Sequence, residues 1–162
     1  VAAARRNPDV SFVINGDGAA LADLRAQAAD LANVRFGAYQ PDDRLAEVLA
    51  TADVHLVSLR AGLAAVSVPS KVYSILAAGR SVIAAVDPGS EIDRLVTQSG
   101  AGLVVSPGDV NALSQAVSSL ARNSARRMTC GTAGRAYIER HPSSRDAAQA
   151  YVAIVGDSLS RP

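Results

Sequence analysis

The sequence predicts an α/β domain with a doubly wound parallel sheet that helices cover on both faces. Short, β-branched apolar runs recur along the chain, and segments with apolar residues at helical spacing separate them. Glycine, proline or serine marks most of the junctions. Strands that alternate with helices in this way require right-handed crossovers and therefore pair in parallel.

Composition limits the class of protein. With 162 residues the chain can form one domain with a sizeable core, and it is too short for two domains of normal size. Its net charge of +1 and its 4% of aromatic residues indicate neither an electrostatic footprint nor stacking platforms for nucleic acid, so we expect no nucleic-acid partner. Cys130 has no second cysteine to pair with, which fits a reducing compartment.

The apolar runs predict the strands, because each contains valine or isoleucine and ends at a turn signal. The third run is almost continuously apolar, as a strand buried on both faces would be. In chain order the predicted strands are Asp9–Asn15, Asn33–Gly37, Asp53–Leu59, Ser81–Val86 and Gly102–Ser106.

Apolar residues three or four positions apart predict the helices, and proline or an acidic residue begins several of them. In chain order the predicted helices are Val1–Asn7, Ala19–Leu31, a segment that begins at Pro41, Pro69–Ala78, Glu91–Ser99, Val110–Asn123, Ala125–His141 and Ser143–Ser160. We treat 1–162 as one domain, with a core over about residues 8–122 and closing helices over about 124–160. Because the chain begins at a valine inside a helical segment, we expect it to be a slice of a longer protein.

The helix that begins near Pro69 organises the predicted site. Proline suits the first helical position and Gly79 suits the position just past the end. The backbone N–H groups of Ser70, Lys71 and Val72 are expected to point out of the helix N-terminus, where an anion is stabilised.

Lys71 strengthens this interpretation because it is the sole lysine of the chain. A cation in the first turn of a helix is disfavoured by about 0.3–1 kcal/mol, and a bound phosphate or diphosphate would offset that cost. A solvated surface lysine beside an ordinary helix is the alternative.

Ligands of doubly wound sheets lie beyond the carboxyl ends of the strands. The loops expected at that edge contain glycine or serine and span Asn15–Gly18, Gly37–Gln40, Ser58–Pro69 and Asp87–Glu91.

Several candidate residues have plain structural explanations. The pair Gly16 and Gly18 does not form the dinucleotide fingerprint, so an ordinary turn is the alternative to a ligand contact. His55, inside a predicted strand, fits a hydrogen-bonded structural histidine, and Glu91 fits a carboxylate that complements a helix dipole. A set of arginines predicts a solvated helix face, with contact to anionic membrane lipid as the alternative: Arg122, Arg126, Arg127 and Arg135.

The chain resembles the C-terminal domain of retaining nucleotide-sugar glycosyltransferases of family four over roughly residues 8–120. The resemblance lies in the order and spacing of the runs VSFVINGDG, NVRFGAY, TADVHLVSL, VPSKVYSILAAGRSVIAAVDPGSEIDRLV and GAGLVVSPGD. The run PSKVYSILAAGRSVIA is similar to a subgroup, often called colanic-acid or aminosugar-type, with proline-serine-lysine at this helix start. The implied fold is one Rossmann-like half of a GT-B enzyme.

The resemblance implies that this half binds the nucleotide and diphosphate of a nucleotide-sugar donor. It implies no metal cofactor, because the helix dipole and basic side chains neutralise the departing diphosphate. Lys71 is the implied catalytic residue. The residues implied to bind the donor are Gly16, Gly18, Tyr39, Ser70, Val72, Ser74 and Glu91.

This sequence departs from the family in two places. Many members carry two glutamates eight residues apart, of which the second holds the ribose, but the matching positions here are Val66 and Ser74. No acid occurs from Leu59 to Arg80. The family's domain also opens with a strand and a glycine-rich loop, and this chain begins after them. In the expected strand order 3-2-1-4-5-6 the missing strand is central.

The leading hypothesis is the donor-binding half of an enzyme that transfers a sugar to a glycan or lipid-linked acceptor. A missing N-terminal domain of the same protein would contact that acceptor. The resemblance implies polysaccharide biosynthesis in the cytoplasm, with peripheral contact to the inner face of the membrane. Two alternatives stay open: another GT-B enzyme, such as a nucleotide-sugar epimerase, and a non-catalytic α/β binding module.

Overall fold

The computed structural model describes residues 1–63, 69–140, 148–149 and 151–152. Its helices are α1 (Ala2–Arg5), α2 (Leu21–Gln27), α3 (Leu45–Thr51, preceded by a 3-10 turn over Asp42–Arg44), α4 (Lys71–Ala77), α5 (Glu91–Ser99), α6 (Val110–Ala121) and α7 (Ser124–Glu139). Its strands are β1 (Phe12–Asn15), β2 (Val34–Gly37), β3 (Val54–Ser58), β4 (Ser81–Ala85) and β5 (Gly102–Val105). The predicted elements from the first strand to α7 are therefore confirmed in kind and order, whereas the predicted helix Ser143–Ser160 lies almost wholly outside the described residues.

All strand pairs are parallel, as the alternation of strands and helices predicted. They form two sheets, β1-β2 and β3-β4-β5. Among the described residues, β1 and β3 each pair on one side only. The strand order 3-2-1-4-5-6 expected above would have a strand between β1 and β3, and the two sheets are separated at that place.

The core lies on both faces of β4, which is buried along its whole length. Successive strand residues point to opposite faces. On one face Val82 and Ala84 pack with residues of α4 and α5, and on the other face Ile83 packs with Ala116 and Leu120 of α6. Helices therefore cover this sheet on both faces, and the predicted doubly wound architecture is confirmed.

The prediction that the third strand is buried on both faces is wrong. In β3 only Val57 is buried, and Leu56 is 52% exposed. β3 forms an edge of its sheet, so its outer side has no neighbouring strand to cover it. Val13 in β1, at the edge of the other sheet, is likewise 66% exposed.

Two asparagines connect the sheets through α1. The side-chain amide of Asn33, next to β2, donates to the carbonyls of Ala4, Asn7 and Val10 at 3.0–3.1 Å. The side chain of Asn7 in turn bonds Ser114 and Ser118 of α6. The segment that contains α1 is therefore hydrogen-bonded both to the β1-β2 unit and to the helix that covers β4.

The described residues contain no helix with the length and apolar character that crossing a membrane requires.

Candidate functional site

The loops that follow β3 and β4 are tied together at the carboxyl edge of the sheet. The Leu59 N–H donates to the Ala85 carbonyl at 3.0 Å, which extends the strand pairing by one residue. Beyond it, the Gly62 N–H donates to Asp87 Oδ2 at 2.8 Å. The predicted neighbourhood of these two loops is therefore confirmed.

The loops after β1 and β2 form a second neighbourhood, because Asn15 and Gly37 are paired in the strand register. Gly16 and Gly18 have φ values of 143° and 156°, which glycine tolerates and other residues disfavour. An added Cβ would meet no atom within 4 Å at either position, so the backbone faces open space.

Tyr39 lies in the loop after β2 and is 71% exposed. Its hydroxyl donates to Asp42 Oδ1 at 3.1 Å. This hydrogen bond, together with the nearby negative charge, raises the pKa of Tyr39 above its usual range. The phenol is thus neutral, and its ring is exposed to solvent in the loop after β2, the strand that pairs with β1.

The start of α4 lies two residues later than predicted. Lys71, not Pro69, is the first helical residue, and Ser70 precedes it. The first turn is closed by bonds from the Val72 N–H to the Pro69 carbonyl and from the Tyr73 N–H to the Ser70 carbonyl, both 3.1 Å. At the other end, Gly79 has the φ of 68° that a helix stop requires, and this prediction is confirmed.

The prediction of a free backbone donor at Val72 is wrong, because that N–H bonds the Pro69 carbonyl. The side chain of Val72 is fully buried in the core, so it offers no surface to a ligand. The N–H groups of Ser70 and Lys71 bond no acceptor among the described residues, and the Ser70 side chain makes no capping bond.

Lys71 is exposed and forms no ion pair with any described residue. Ser74 lies one turn further along α4 and is half-buried. A cation, a hydroxyl and two N–H groups without an acceptor among the described residues therefore occupy one end of a short helix at the carboxyl edge. Because α4 spans only seven residues, we expect the lysine charge to contribute more there than the helix dipole.

Glu91 begins α5 and is exposed. Its Oε1 accepts a hydrogen bond of 2.8 Å from the hydroxyl of Tyr73 in α4. Burial, and then this contact with Glu91, raise the pKa of Tyr73 above its usual range. Sequence reasoning did not select Tyr73. The available signal was a phenol between Lys71 and Ser74 in a helix otherwise made of small and aliphatic residues.

The structure brings the predicted residues together in two groups. Lys71, Ser70, Ser74 and Glu91 belong to α4 and α5, whereas Gly16, Gly18 and Tyr39 belong to the loops after β1 and β2. No hydrogen bond or ion pair between described residues joins the two groups.

The remaining candidates have structural partners. His55 Nε2 lies 2.9 Å from the Leu49 carbonyl, so the structural interpretation is confirmed. Arg127 donates to the carbonyls of Leu120 and Ala121 at the end of α6, and Arg135 pairs with Glu139. Within the residues that the structure covers, His, Cys, Asp and Glu form no cluster of three or more that could hold a metal ion.

Comparison with known sequences identifies relatives that are named as glycosyltransferases. The protein named as glycosyltransferase WbjE of Pseudomonas aeruginosa is 32% identical over 114 residues, 69% of this chain and 28% of WbjE. The protein named as colanic acid biosynthesis glycosyl transferase WcaI of Escherichia coli K12 is 34% identical over 111 residues, 67% of this chain and 27% of WcaI. The chain therefore spans about a quarter of the length of these relatives.

Solved structures show the same fold. HepE of Anabaena in complex with UDP matches with a TM-score of 0.74 at 17% identity, over 96% of this chain and 43% of HepE. A sucrose-phosphate synthase from Thermosynechococcus elongatus matches with a TM-score of 0.76 at 17% identity, over 98% of this chain and 42% of the synthase. These likenesses show a Rossmann-like α/β half of the GT-B kind. Because the family described as "Glycosyl transferases group 1" matches residues 1–123, well over half of the 162 residues, this chain belongs to that family.

Proposed function

We propose that this chain is the donor-binding half of an enzyme that transfers a sugar from a nucleotide diphosphate sugar to a glycan or lipid-linked acceptor. The observation that carries the proposal is Lys71, an exposed cation without an ion-pair partner among the described residues, at the carboxyl edge of the sheet. HepE, whose fold this chain shares, has been solved with UDP and with UDP-glucose.

Lys71 and Ser70 would act on the leaving group. Breaking the bond between the sugar and the diphosphate leaves additional negative charge on a phosphate oxygen, and a fixed cation and hydrogen-bond donors stabilise that charge as it develops. The N–H groups of Ser70 and Lys71 and the Ser70 hydroxyl are the nearest further donors. Val72 is left out of the donor contacts because its N–H and side chain are already engaged.

We propose that the reaction needs no metal cofactor, because the Lys71 ammonium supplies the positive charge that a bound metal ion supplies in other enzymes. Full binding and full activity in excess EDTA are the expected results. Loss of either in EDTA, with recovery on adding Mg²⁺ or Mn²⁺, would refute this part of the proposal.

We further propose a retaining outcome with a hexosyl donor, and membership of the proline-serine-lysine subgroup. The support is the run PSKVYSILAAGRSVIA together with the likeness to WcaI. NMR of the first-formed product tests the stereochemistry, because a retaining enzyme gives the same anomeric configuration as the donor. The opposite anomer as first product would contradict the retaining part.

We place the base of the donor at the other group of residues. Gly16 and Gly18 leave their backbone open to a ligand, and the exposed ring of Tyr39 offers a face for stacking. A donor bound between the two groups would span the break between β1 and β3.

The open edges of β1 and β3 support a further domain in the whole protein. Parallel sheets are normally buried, yet apolar side chains of both edge strands are exposed at Val13 and Leu56. We propose that a strand contributed by another part of the whole protein pairs with these edges, and that an N-terminal domain contacts the acceptor. A longer version of the protein should then unfold at a higher temperature than this chain, and an equal or lower temperature would contradict the assignment.

Cytoplasmic location and peripheral contact with the inner face of the membrane belong to the same proposal. Arg126 and Met128, both exposed on α7, are available for such a contact. Co-sedimentation with vesicles that contain anionic phospholipid tests it, and equal recovery with neutral vesicles would contradict it.

The decisive experiment is a calorimetric titration of the whole protein with UDP, GDP and ADP in EDTA. We expect one of the three nucleotides to bind, which also identifies the base of the donor. Transfer then releases free nucleotide together with a glycosylated acceptor, whereas an epimerase would return an altered hexose. A folded protein that binds none of the three would refute the proposal and favour a non-catalytic module.

A further inference from the structure

Among the described residues, a hydrogen bond between the side chains of Tyr73 and Glu91 joins α4 to α5. The Tyr73 hydroxyl donates to Glu91 Oε1 at 2.8 Å, and Tyr73 is 36% exposed. The helix α4, with the sequence KVYSILA, carries no acidic side chain of its own. Through this bond α4, the helix of Lys71, gains a carboxylate beside it.

Hydrogen bonds of neighbouring residues hold the backbone of Glu91 in place, independently of its side chain. Asp87, four residues earlier, accepts from the Gly62 N–H at 2.8 Å. Ser90, the residue that caps α5, accepts from the Asp93 N–H at 3.2 Å, and Asp93 accepts from the Gly89 N–H, one residue before the cap, at 2.7 Å. The loop between β4 and α5 is therefore fixed at both ends, and the glutamate side chain is the part with rotational freedom.

The Tyr73 phenol restricts the rotation of the Glu91 side chain and leaves most of its carboxylate lone pairs available to a ligand. A carboxylate offers about four lone-pair sites on two oxygens, and the Tyr73 hydroxyl uses one of them. Glu91 is exposed and has no ion pair with a described residue. Such an oxygen accepts hydrogen bonds from uncharged hydroxyl groups, and fixing it in advance lowers the entropic cost of binding them.

We propose that Tyr73 is a positioning residue that holds the Glu91 carboxylate so that its other oxygen binds hydroxyl groups of the donor. The inference rests on the proposed function and adds to it the residue that orients the hydroxyl-binding group. These hydroxyls belong either to the ribose or to the transferred sugar, and both present the same chemistry to a carboxylate.

The test is a double-mutant cycle in binding, measured on the whole protein with UDP, 2′-deoxy-UDP and UDP-glucose as probes, or with their guanosine or adenosine counterparts if the titration above selects GDP or ADP. We expect Tyr73→Phe to weaken binding about three- to tenfold, the usual effect of one hydrogen bond. If the ribose is bound, UDP is weakened and 2′-deoxy-UDP is not. If the transferred sugar is bound, UDP-glucose is weakened and UDP is not.

The cycle distinguishes positioning from a purely structural role. In the Glu91→Ala background, Tyr73→Phe should change the Kd less than about twofold, because the partner that it orients is gone. The matched control is Thr97→Val, which removes another hydroxyl-to-carboxylate bond, to Asp93 Oδ1 at 3.2 Å, further along α5. We expect this control to bind like the wild type.

Two results would overturn the inference while the proposed function stands: unchanged affinity of Tyr73→Phe for every probe, or an equal loss in the Glu91→Ala background. If Tyr73→Phe unfolds, Glu91→Gln supplies the measurement, since it keeps an oxygen for Tyr73 and removes the charge; unchanged affinity there also overturns the inference. A folded wild type that binds no nucleotide would refute both the proposed function and this inference.

Discussion

Replacing Lys71 by alanine removes the cation that the proposed function places at the donor diphosphate. The exposed ammonium makes no ion pair with a described residue, so its loss leaves no buried partner behind. We therefore expect Lys71→Ala to fold with an unchanged thermal midpoint. Its effect should appear in nucleotide binding and in transfer.

The exposure of Lys71 sets the size of the effect. Two unit charges 4 Å apart interact by about 1 kcal/mol in bulk water and by about 4 kcal/mol at an effective dielectric constant of 20. A solvent-facing lysine belongs to the lower half of this range, so we expect a loss of about 1–2 kcal/mol, or roughly 5- to 30-fold in the Kd for the nucleoside diphosphate. The loss in kcat should be larger, about 10²- to 10³-fold, because negative charge increases as the diphosphate departs.

Calorimetric titration and a transfer assay on the same preparations measure both quantities. Lys71→Arg keeps the charge and should recover part of the binding. The control Arg126→Ala removes an exposed charge from α7, at the end of α6 remote from the carboxyl edge, and should leave the Kd unchanged. The Lys71 effect should also shrink with added salt, since the Debye length is about 8 Å at physiological ionic strength. A Kd and kcat of Lys71→Ala within twofold of the wild type would refute the assignment.

Three other outcomes are expected. Gly131→Ala should destabilise the fold by about 1–2 kcal/mol and lower the thermal midpoint by several degrees, because an added Cβ would lie 2.1 Å from the Gly79 carbonyl oxygen. The control Met128→Ala, on the exposed side of α7, should leave the midpoint unchanged. Equal midpoints for the two variants would contradict the close packing at Gly131. Ser90→Ala should cost about 1 kcal/mol in denaturant unfolding, because the α5 cap is lost, and no change would argue against that cap. Spectrophotometric titration should show part of the phenolate signal above pH 10, because the pKa of Tyr73 is raised in the folded protein, and Tyr73→Phe should remove that part. The raised pKa also stabilises the folded protein. This contribution is full below about pH 10 and is lost as the pH rises through the pKa of the folded state.

The parts of the site that depend on local sequence were predictable. Gly79 ends α4 because a positive φ is required there. Lys71 lies at the start of the same helix because it directly follows the proline and serine that lie at its N-terminus. The paired loops after β3 and β4 followed from the rule that parallel strands bring their carboxyl ends to one edge. The order of strands and helices followed from periodicity, which local propensity supports.

The parts that depend on tertiary packing were not predictable. The contact between Tyr73 and Glu91 requires two helices to be set at particular rotations, and residue spacing does not specify rotation. The exposure of Leu56 depends on which strands find partners, whereas its hydrophobic character alone suggested burial. Val72 lost its free N–H because the first turn of α4 closes by bonds to the third residue back, a choice that sequence leaves open.

The sheet on which α4 and α5 pack is the better buried of the two, and this bears on how a donor would be bound. β4 is covered on both faces, and α4 and α5 pack on it through fully or nearly fully buried residues such as Leu76 and Ile92. By contrast, α2 and α3 contain no buried residue. The group at α4 and α5 is therefore held by a packed core, whereas the group at Gly16 and Tyr39 rests on a two-stranded sheet with an open edge. We conclude that the diphosphate side of the proposed site is preorganised in this chain, and that the base side depends more on whatever pairs with β1.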